Sequence, residues 1–188
     1  MRNFVFGVIF TLVVLALIGV GFALLGFVPT NANTTPPKWE ERLANSSLDA
    51  SMERHAPRAN NPLPPTDDTI IDGMKVYTMN CAGCHGDLNQ KEQTFGRSFY
   101  PPAPQLILHP PDDPDWHLYY AIRTGVRYTG MPAWEKTMSD SDIWKVTTFL
   151  THMEKLSPAA QQYWKKSFGV DPPTQRGEAE EKDEHHHD

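Results

Sequence analysis

The sequence is poor in cysteine, and this scarcity excludes several classes of small protein. Its 188 residues contain two cysteines, Cys81 and Cys84, which are too few for a disulfide framework or for a four-cysteine zinc site. Residues 67–169 also lack an excess of basic charge, with ten Lys and Arg against twelve Asp and Glu. Because no basic stripe is present, no nucleic acid is expected as a partner.

Period-two alternation of apolar and polar residues is missing as well, so the sequence predicts helices rather than strands. Ile70, Met74, Tyr77 and Cys81 recur at the spacing of one helix face. They predict a helix from about Asp68 to Asn80. A second long helix is predicted from about Asp140 to Met153, and shorter helices follow Asp113 and Ser157.

Residues that favour helix starts bound these predicted helices. Either Asp67 or Asp68 is expected to cap the first helix. Asp113 is expected to cap the shorter helix that follows it, with Pro114 at the first helical position. The stretch SDSD at residues 139–142 predicts a capping box at the start of the second long helix.

A long run without charge stands near the N-terminus. Phe4 to Val28 contains no charged residue, and as a helix it would extend roughly 37 Å at about 1.5 Å per residue, enough to cross a ~30 Å bilayer core. We interpret residues 1–28 as an uncleaved transmembrane anchor. A cleavable signal peptide is the alternative, although its apolar region usually covers only about 7–15 residues. Arg2, the one charge ahead of the run, favours a cytoplasmic N-terminus.

Two segments flank the central domain and are predicted to have no fold of their own. Residues 29–66 are rich in Pro, Asn, Ser and Thr, which is typical of a tether. Residues 38–55 are compatible with a short helix, but a solvated, partly ordered segment is the preferred interpretation. Residues 170–188 form an acidic tail with three histidines, which is predicted to be disordered. A metal-binding module built on those histidines remains an alternative.

Both cysteines belong to the stretch MNCAGCHGD, residues 79–87, in which His85 follows Cys84 directly. Cys-x-x-Cys-His is the attachment signature of a c-type haem. Each thiol adds to a vinyl group of the porphyrin as a thioether, and the adjacent imidazole is delivered to one axial side of the iron. One covalent haem c is therefore expected, bound by Cys81 and Cys84 with His85 as an iron ligand. It would also fill a domain whose few helices otherwise bury little apolar surface.

Other uses of a Cys-x-x-Cys pair fit the sequence less well. A thioredoxin-like dithiol requires a βαβ setting, whereas this segment is predicted to be helical. A zinc site would need two further ligands. The histidines available between residues 29 and 169 show no metal-binding spacing; they are His55, His109, His117 and His152.

A methionine sulfur is the second axial ligand expected of a haem that carries electrons. Met131 lies in YTGMPAW between Gly130 and Pro132, 46 residues after His85. The flanking glycine and proline place it in a loop that is free to approach the iron. Met131 is therefore the predicted second ligand, and the other methionines are assigned to the core or to loops.

At these motifs the sequence resembles the class I cytochrome c family, over about residues 67–156. Gly73 and Tyr77 precede Cys81 by eight and four residues, as the glycine and the aromatic residue of the family do. The tripeptide PQL at residues 104–106 is similar to the family's loop in which a proline carbonyl accepts a hydrogen bond from the ligand histidine. The approach to the methionine, AIRTGV followed by GMPAW, matches as well.

The resemblance implies roles for three further residues. Pro104 would fix the His85 ring through its carbonyl oxygen, and Leu106 would pack on the porphyrin face. Tyr77, which completes the cofactor-binding set, would pack against the last helix of the family fold.

The resemblance also implies the fold, an all-α, class I cytochrome c-like domain around one covalent haem. The match does not extend to the predicted helix after Ser157, which would add an extra C-terminal helix to a domain of residues 67–169, or to the predicted N-terminal transmembrane helix that precedes the domain. The helix from about Asp68 to Asn80 would cross the helix from about Asp140 to Met153. Gly73 would lie at this crossing, with Tyr77 against Val146 and Phe149.

The function implied is electron transfer rather than catalysis, since both axial positions of the iron would be filled. The domain would lie on the periplasmic side of a bacterial inner membrane, held by a single-pass anchor. It would carry single electrons within a respiratory chain, between a quinol-oxidising complex and a terminal oxidase or other periplasmic redox enzyme. Two alternatives stay open: a fixed cytochrome c subunit of such a complex, and a haem gas sensor in which Met131 is displaceable.

Overall fold

The computed structural model describes residues 1–91 and 93–173, and within these ranges it contains helices and no β-strand. The predicted all-α class is confirmed. The chain divides into two compact units, Met1–Ala32 and Asn33–Asp188. Most of the predicted acidic tail, from residue 174 onward, lies outside the described residues.

The first unit consists of one apolar helix, α1 (Arg2–Leu24). Its mean hydropathy reaches 2.8, and none of its residues is buried by the rest of the chain. The helix is long and apolar enough to cross a membrane, and a signal sequence would share these properties.

The second unit contains seven α-helices among its described residues. In chain order they are α2 (Lys38–His55), α3 (Asp67–Asn80), α4 (Ala82–His85), α5 (Thr94–Arg97), α6 (Asp115–Thr124), α7 (Asp140–His152) and α8 (Pro158–Phe168). A short 3₁₀ turn, Met153–Lys155, follows α7.

The core is built around the crossing of α3 and α7. A Cβ atom added to Gly73 would collide with the carbonyl oxygen of Lys145 and lie 2.7 Å from the Cβ of Phe149. Only a glycine therefore allows the two backbones to approach this closely. The rings of Tyr77 and Phe149 pack edge to face, with 5.6 Å between their centroids. The crossing and its residues agree with the prediction.

Helices α6 and α8 complete the core with aromatic side chains. Tyr119 of α6 stacks on Trp144 of α7, with 3.8 Å between the ring centroids. Trp164 of α8 is fully buried, 6.0 Å from the ring of Phe149. α8 begins after Ser157, as predicted, because its hydroxyl accepts a hydrogen bond from a backbone amide of the first turn.

The predicted cap of α3 is wrong. Thr66 caps the helix, and its hydroxyl oxygen accepts a hydrogen bond from the amide of Thr69. Asp67 and Asp68 instead lie in the first turn of the helix. Their carboxylates can still favour this end of α3, because the helix dipole is positive there.

The start of α6 also differs from the prediction, whereas the start of α7 agrees with it. Pro114 is the cap of α6, and the helix begins at Asp115. The carboxylate of Asp113 accepts from a histidine one turn along the helix, at 3.1 Å, rather than from a backbone amide. At α7, the hydroxyl of Ser139 accepts from the amide of Asp142, as its motif predicted.

The segment predicted as a tether contains α2, which corrects the solvated, partly ordered state expected for residues 38–55. Met52 of α2 is buried, and Glu40 accepts a hydrogen bond of 2.8 Å from the hydroxyl of Tyr100. Farther along, the Asn61 amide donates to Asp115 at 2.8 Å. Contacts with residues far away in the sequence order this stretch. They cannot be predicted from its local composition.

Candidate functional site

The two cysteines and the histidine lie on one tight helical turn. The carbonyl oxygen of Cys81 accepts from the amide of Cys84 at 3.1 Å and from the amide of His85 at 2.9 Å. This turn, residues 81–85, directly follows α3, so the main helix of the core positions it. Both cysteines are free thiols and are half-buried.

The thiol of Cys81 lacks the lowered pKa that is typical of a reactive redox dithiol. Burial raises the pKa of Cys81 to about 12, and the neighbouring Cys84 adds to the rise. Reactive dithiols depend on a thiolate that forms near neutral pH. The dithiol alternative is therefore disfavoured by the environment of the motif as well as by its helical setting.

The imidazole of His85 is oriented by the backbone of a distant loop. Its Nδ1 atom lies 2.9 Å from the carbonyl oxygen of Pro104. A carbonyl can only accept, so Nδ1 carries the proton and Nε2 keeps its lone pair. Burial lowers the pKa of His85, with the hydrogen bond to Pro104 opposing part of that shift. A neutral ring with one nitrogen fixed by a carbonyl is the state of a histidine that binds a metal.

Three consecutive residues of that loop bond to the attachment turn. Besides the Pro104 carbonyl, the side-chain amide of Gln105 donates to the Cys84 carbonyl at 2.9 Å. The amide of Leu106 donates to the His85 carbonyl at 2.8 Å. The position of the imidazole is therefore set from outside the Cys-x-x-Cys-His motif.

Gln105 and Gly96 support this arrangement, and neither was among the predicted site residues. Gln105 is buried, and its side-chain oxygen Oε1 accepts a hydrogen bond of 3.0 Å from the backbone amide of Gln93. A Cβ atom on Gly96 of α5 would collide with the Cys84 carbonyl. Gln105 belongs to the PQL tripeptide, but no role was predicted for it from the sequence. No motif around Gly96 marks it as a site residue.

Tyr77 lies beneath the attachment turn and is bonded to it through its hydroxyl group. Its side chain is fully buried, and the hydroxyl donates to the carbonyls of His85 at 3.0 Å and Gly86 at 2.8 Å. Burial raises the pKa of Tyr77 far above its ordinary value. The hydroxyl therefore remains a donor over the physiological pH range.

Met131 is presented by a second loop that closes on itself. The carbonyl of Met131 accepts from the amide of Val126 at 3.2 Å, and its own amide donates to the Thr129 hydroxyl at 3.0 Å. Gly125 starts this loop with φ of +69°, and a Cβ there would lie 2.6 Å from the carbonyl carbon of Pro132 and from the backbone nitrogen of Ala133. Only glycine suits that position.

Four of the predicted site residues belong to or border one core. Cys81, Leu106 and Met131 are partly buried against the cluster that contains Tyr77. His85 is bonded to Pro104 and to the amide of Leu106. By contrast, residues 1–91 and 93–173 contain no group of three or more His, Cys, Asp or Glu side chains that could hold a metal ion.

Comparison with known proteins gives one family and one similar structure. The family described as cytochrome c oxidase, cbb3-type, subunit III matches residues 68–150. The chain is similar to part of a solved Kuenenia stuttgartiensis reducing HAO-like protein complex, Kustc0457/Kustc0458, at 22% identity and a TM-score of 0.40. That similarity covers 53% of this chain and 52% of the other, about half of its length. No curated protein matches the sequence.

Proposed function

Residues 68–150 of this chain belong to the class I cytochrome c family, and from that premise we propose that the protein carries single electrons through one covalently attached haem. The observation that supports this most directly is the His85 ring. Its Nδ1 is bonded to the Pro104 carbonyl at 2.9 Å, which leaves Nε2 as the atom that would bind iron.

The residues of the attachment turn fit a c-type haem. Cys81 and Cys84 are both unpaired, and one helical turn brings them to the same side of the motif as His85. They would bind the porphyrin as thioethers, with His85 as the first axial ligand. When bound, the haem supplies a one-electron couple at its iron.

Met131 is the proposed second axial ligand, and the remaining site residues position the first. A thioether favours reduced iron, which suits a carrier of relatively high potential. Leu106 would pack on the porphyrin, while Pro104 and Tyr77 fix the ring and the turn of His85. With both axial positions filled, no vacancy is left for oxygen or peroxide, so we propose an electron carrier and not an enzyme.

The N-terminal helix would hold this carrier in a bacterial inner membrane, with the haem domain on the periplasmic side. Thirteen residues separate α1 from α2, and a flexible segment of that length has a root-mean-square reach of about 18–22 Å. The donor and acceptor would therefore be neighbouring membrane complexes, such as a quinol-oxidising complex and a terminal oxidase. The effective concentration of the domain near them would be high.

A second candidate is a fixed subunit of one such complex, and the family description favours it. That family is described as subunit III of a cbb3-type cytochrome c oxidase. Mild solubilisation of the native membrane separates the two candidates. A fixed subunit co-purifies in constant ratio with other oxidase subunits, whereas a shuttle is recovered alone.

Haem attachment is the first test. Denaturing the purified protein in acidified organic solvent should leave the haem on the polypeptide, and the reduced protein should show the absorption bands of a c-type cytochrome. The variant in which Cys81 and Cys84 are both serine should lose the haem, whereas Met79→Ala, a change of an exposed neighbour, should retain it. Free extraction of the haem from the unaltered protein would contradict the proposal.

A further inference from the structure

One exposed face of helix α2 begins with two large apolar side chains and carries no charge over its first three turns. Trp39, Leu43, Ser46 and Ala50 recur at the spacing i, i+4, i+7 and i+11, which places them on this face. All four are exposed, and Trp39 and Leu43 expose 66% and 60% of their surface. We call these four residues the stripe. At about 1.5 Å per residue, it extends roughly 16 Å along the helix.

The apolar character of the stripe is concentrated at its N-terminal end. Trp39 and Leu43 supply the large apolar surface, whereas Ser46 and Ala50 are small and uncharged. The first acid farther along this side of the helix is Glu53, and its carboxylate pairs with Arg58 at 2.6 Å. A flat apolar surface could therefore approach the stripe without burying an unpaired charge.

The opposite face of α2 packs on the domain. Leu48 and Met52 are the least exposed apolar residues of the helix, and at about 100° per residue they lie roughly opposite the stripe. The hydrogen bond between Glu40 and Tyr100 ties the start of α2 to the domain as well. The helix therefore has apolar side chains on two faces, one of which the domain covers.

No other pair of exposed large apolar residues shares a helix face in the described part of the second unit. Beyond residue 28, the remaining ones are Met79 on α3, Phe95 on α5 and Tyr128 in the loop before Met131. Each of these stands on a separate element. The pair of Trp39 and Leu43 is thus set apart from the other exposed apolar side chains.

The position of the stripe in the chain indicates what covers it. Thirteen residues link Leu24, the last residue of α1, to Lys38, the first of α2. Fully extended, they span at most about 45 Å, so the chain limits the start of α2 to that distance from the end of α1. Tryptophan favours the boundary between headgroups and acyl chains, where its ring is apolar and its N–H is solvated. Trp39 lies at the end of α2 that is nearest to α1 in the chain.

Two basic side chains beside the stripe suit the same surface. Arg42 and Arg54 are both exposed, and the helical angle places one on each side of the stripe. Guanidinium groups at the edges of an apolar helix face attract the phosphates of anionic lipids. A neighbouring protein surface would not require this pairing of tryptophan with flanking arginines.

We propose that the stripe lies in the interfacial zone of the bilayer that α1 spans, with Trp39 and Leu43 inserted and Ser46 and Ala50 at headgroup level. The ligand is a phospholipid surface, and α2 docks the cytochrome domain on it in a defined orientation instead of leaving it to move freely. This inference rests on the membrane anchor of the proposed function. It replaces a flexible tether with a helix that lies between the domain and the lipid.

Hydroxyl-radical footprinting of the full-length protein tests this docking. One copy is placed in each phosphatidylcholine–phosphatidylglycerol nanodisc, and side-chain oxidation is measured by mass spectrometry. Tyr128, which exposes 89% of its surface, is the internal standard. Trp39 and Leu43 should be oxidised several-fold more slowly than their exposure predicts relative to Tyr128. Leu43→Glu should restore the oxidation of Trp39, because it places a charge in the stripe. Asn45→Glu, which adds the same charge at an exposed position off the stripe, should leave Trp39 protected.

Several outcomes would overturn the docking. Oxidation of Trp39 at the rate expected for an exposed ring would do so, as would protection that persists in Leu43→Glu. Protection seen only with two copies per nanodisc would make the stripe an interface between copies. The same samples also show whether the proposed function fails. If the peptide that contains Cys81 and Cys84 has its unmodified mass, no haem is attached. Elution of the protein apart from the nanodiscs means no anchor, which also ends this inference.

Discussion

The Pro104 carbonyl decides which nitrogen of His85 is available, although the two residues are far apart in the sequence. The bond fixes the proton on Nδ1, so the ring can offer only Nε2 to a metal. The Gln105 side chain and the Leu106 amide bind the same turn. Only the Gln105 bond depends on a side chain, so Gln105→Ala is the substitution that should loosen this turn without touching the motif itself.

Met131→Ala should lower the reduction potential while leaving the haem attached. Loss of the sulfur ligand removes its preference for reduced iron, and the expected fall is on the order of tenths of a volt, within the roughly 0.8 V that axial ligands span. The near-infrared charge-transfer band of sulfur-ligated ferric haem should disappear. Met138→Ala, which truncates another partly buried methionine, should retain it. Persistence of the band in Met131→Ala would assign the ligand to another residue.

Thr129→Val should make Met131 easier to displace. The hydroxyl donates to the Val126 carbonyl at 2.7 Å and accepts from the Met131 amide at 3.0 Å. Two hydrogen bonds of about 0.5–1.5 kcal/mol each correspond to roughly 5- to 150-fold in the population of the open loop. Carbon monoxide binding to the reduced protein, followed by absorption, should rise by about that factor relative to the unaltered protein.

Thr129→Ser is the matched control, because it keeps the hydroxyl and should bind as little carbon monoxide as the unaltered protein. Ready binding by the unaltered protein would instead favour a gas sensor with a displaceable methionine. Equal binding by all three proteins would show that the Thr129 hydroxyl does not stabilise the loop.

Among single residues, the sequence predicts those whose role follows from neighbours that are close in the sequence. Cys81, Cys84 and His85 are adjacent, and Met131 is marked by the glycine and proline beside it. Gly96 could not be predicted, because the atom that excludes a side chain there belongs to Cys84, on a different helix. Its requirement arises only after α4 and α5 pack together.

Among the helices, the crossing of α3 and α7 carries the largest predicted effect on stability. Tyr77→Ala removes a fully buried ring from that crossing, which should destabilise the domain by about 3–5 kcal/mol. Domains of this size are stable by only about 5–15 kcal/mol in all, so the melting temperature should fall markedly. The haem should stay on the chain, because the proposed attachment through Cys81 and Cys84 is covalent.

Two further variants separate the ring of Tyr77 from its hydroxyl. Tyr77→Phe keeps the packing but leaves two buried carbonyls with one donor fewer, a loss of about 1–3 kcal/mol. Met79→Ala, at an exposed position of the same helix, should change stability by less than about 0.5 kcal/mol. Equal melting temperatures for Tyr77→Ala and Met79→Ala would contradict the role assigned to the crossing.

The helices differ in how well the sequence predicts them. The apolar faces of α3 and α7 repeat with the helical period, so both helices and their crossing were predictable. For residues 38–55 the sequence allowed a short helix but favoured a solvated segment, because the polar composition suits solvent and the order of α2 depends on contacts such as Glu40 with Tyr100. The cap of α3 was missed because Thr66 and Asp67 are both good capping residues, and only the backbone geometry distinguishes them.

For the molecule as a whole, docking of α2 changes how electrons would reach the site. A free tether of 38 residues would let the domain sample a radius of about 30–40 Å. With only the 13 residues between α1 and α2 free, the reach falls to about 18–22 Å. A domain held this close to the bilayer would exchange electrons only with immediate neighbours. In the range of partners that it can reach, such a shuttle would resemble a fixed subunit.

The N-terminal helix should keep the mature protein in the membrane. α1 has 23 residues, with Arg2 as its only charge, and at about 1.5 Å per residue it extends roughly 35 Å, more than the ~30 Å hydrocarbon core. Cleavable signal peptides usually have an apolar region of only about 7–15 residues. Alkaline carbonate washing, which strips proteins bound only at the surface, should therefore leave the haem in the membrane pellet.

Val13→Arg places a charge near the helix centre, at a penalty of about 2.5–3.5 kcal/mol, and should reduce the fraction of the protein retained in the membrane. Thr11→Ala, the control, should not. A mature N-terminus beyond Pro29, together with haem in the wash, would identify residues 1–28 as a cleaved signal and release the domain from the membrane.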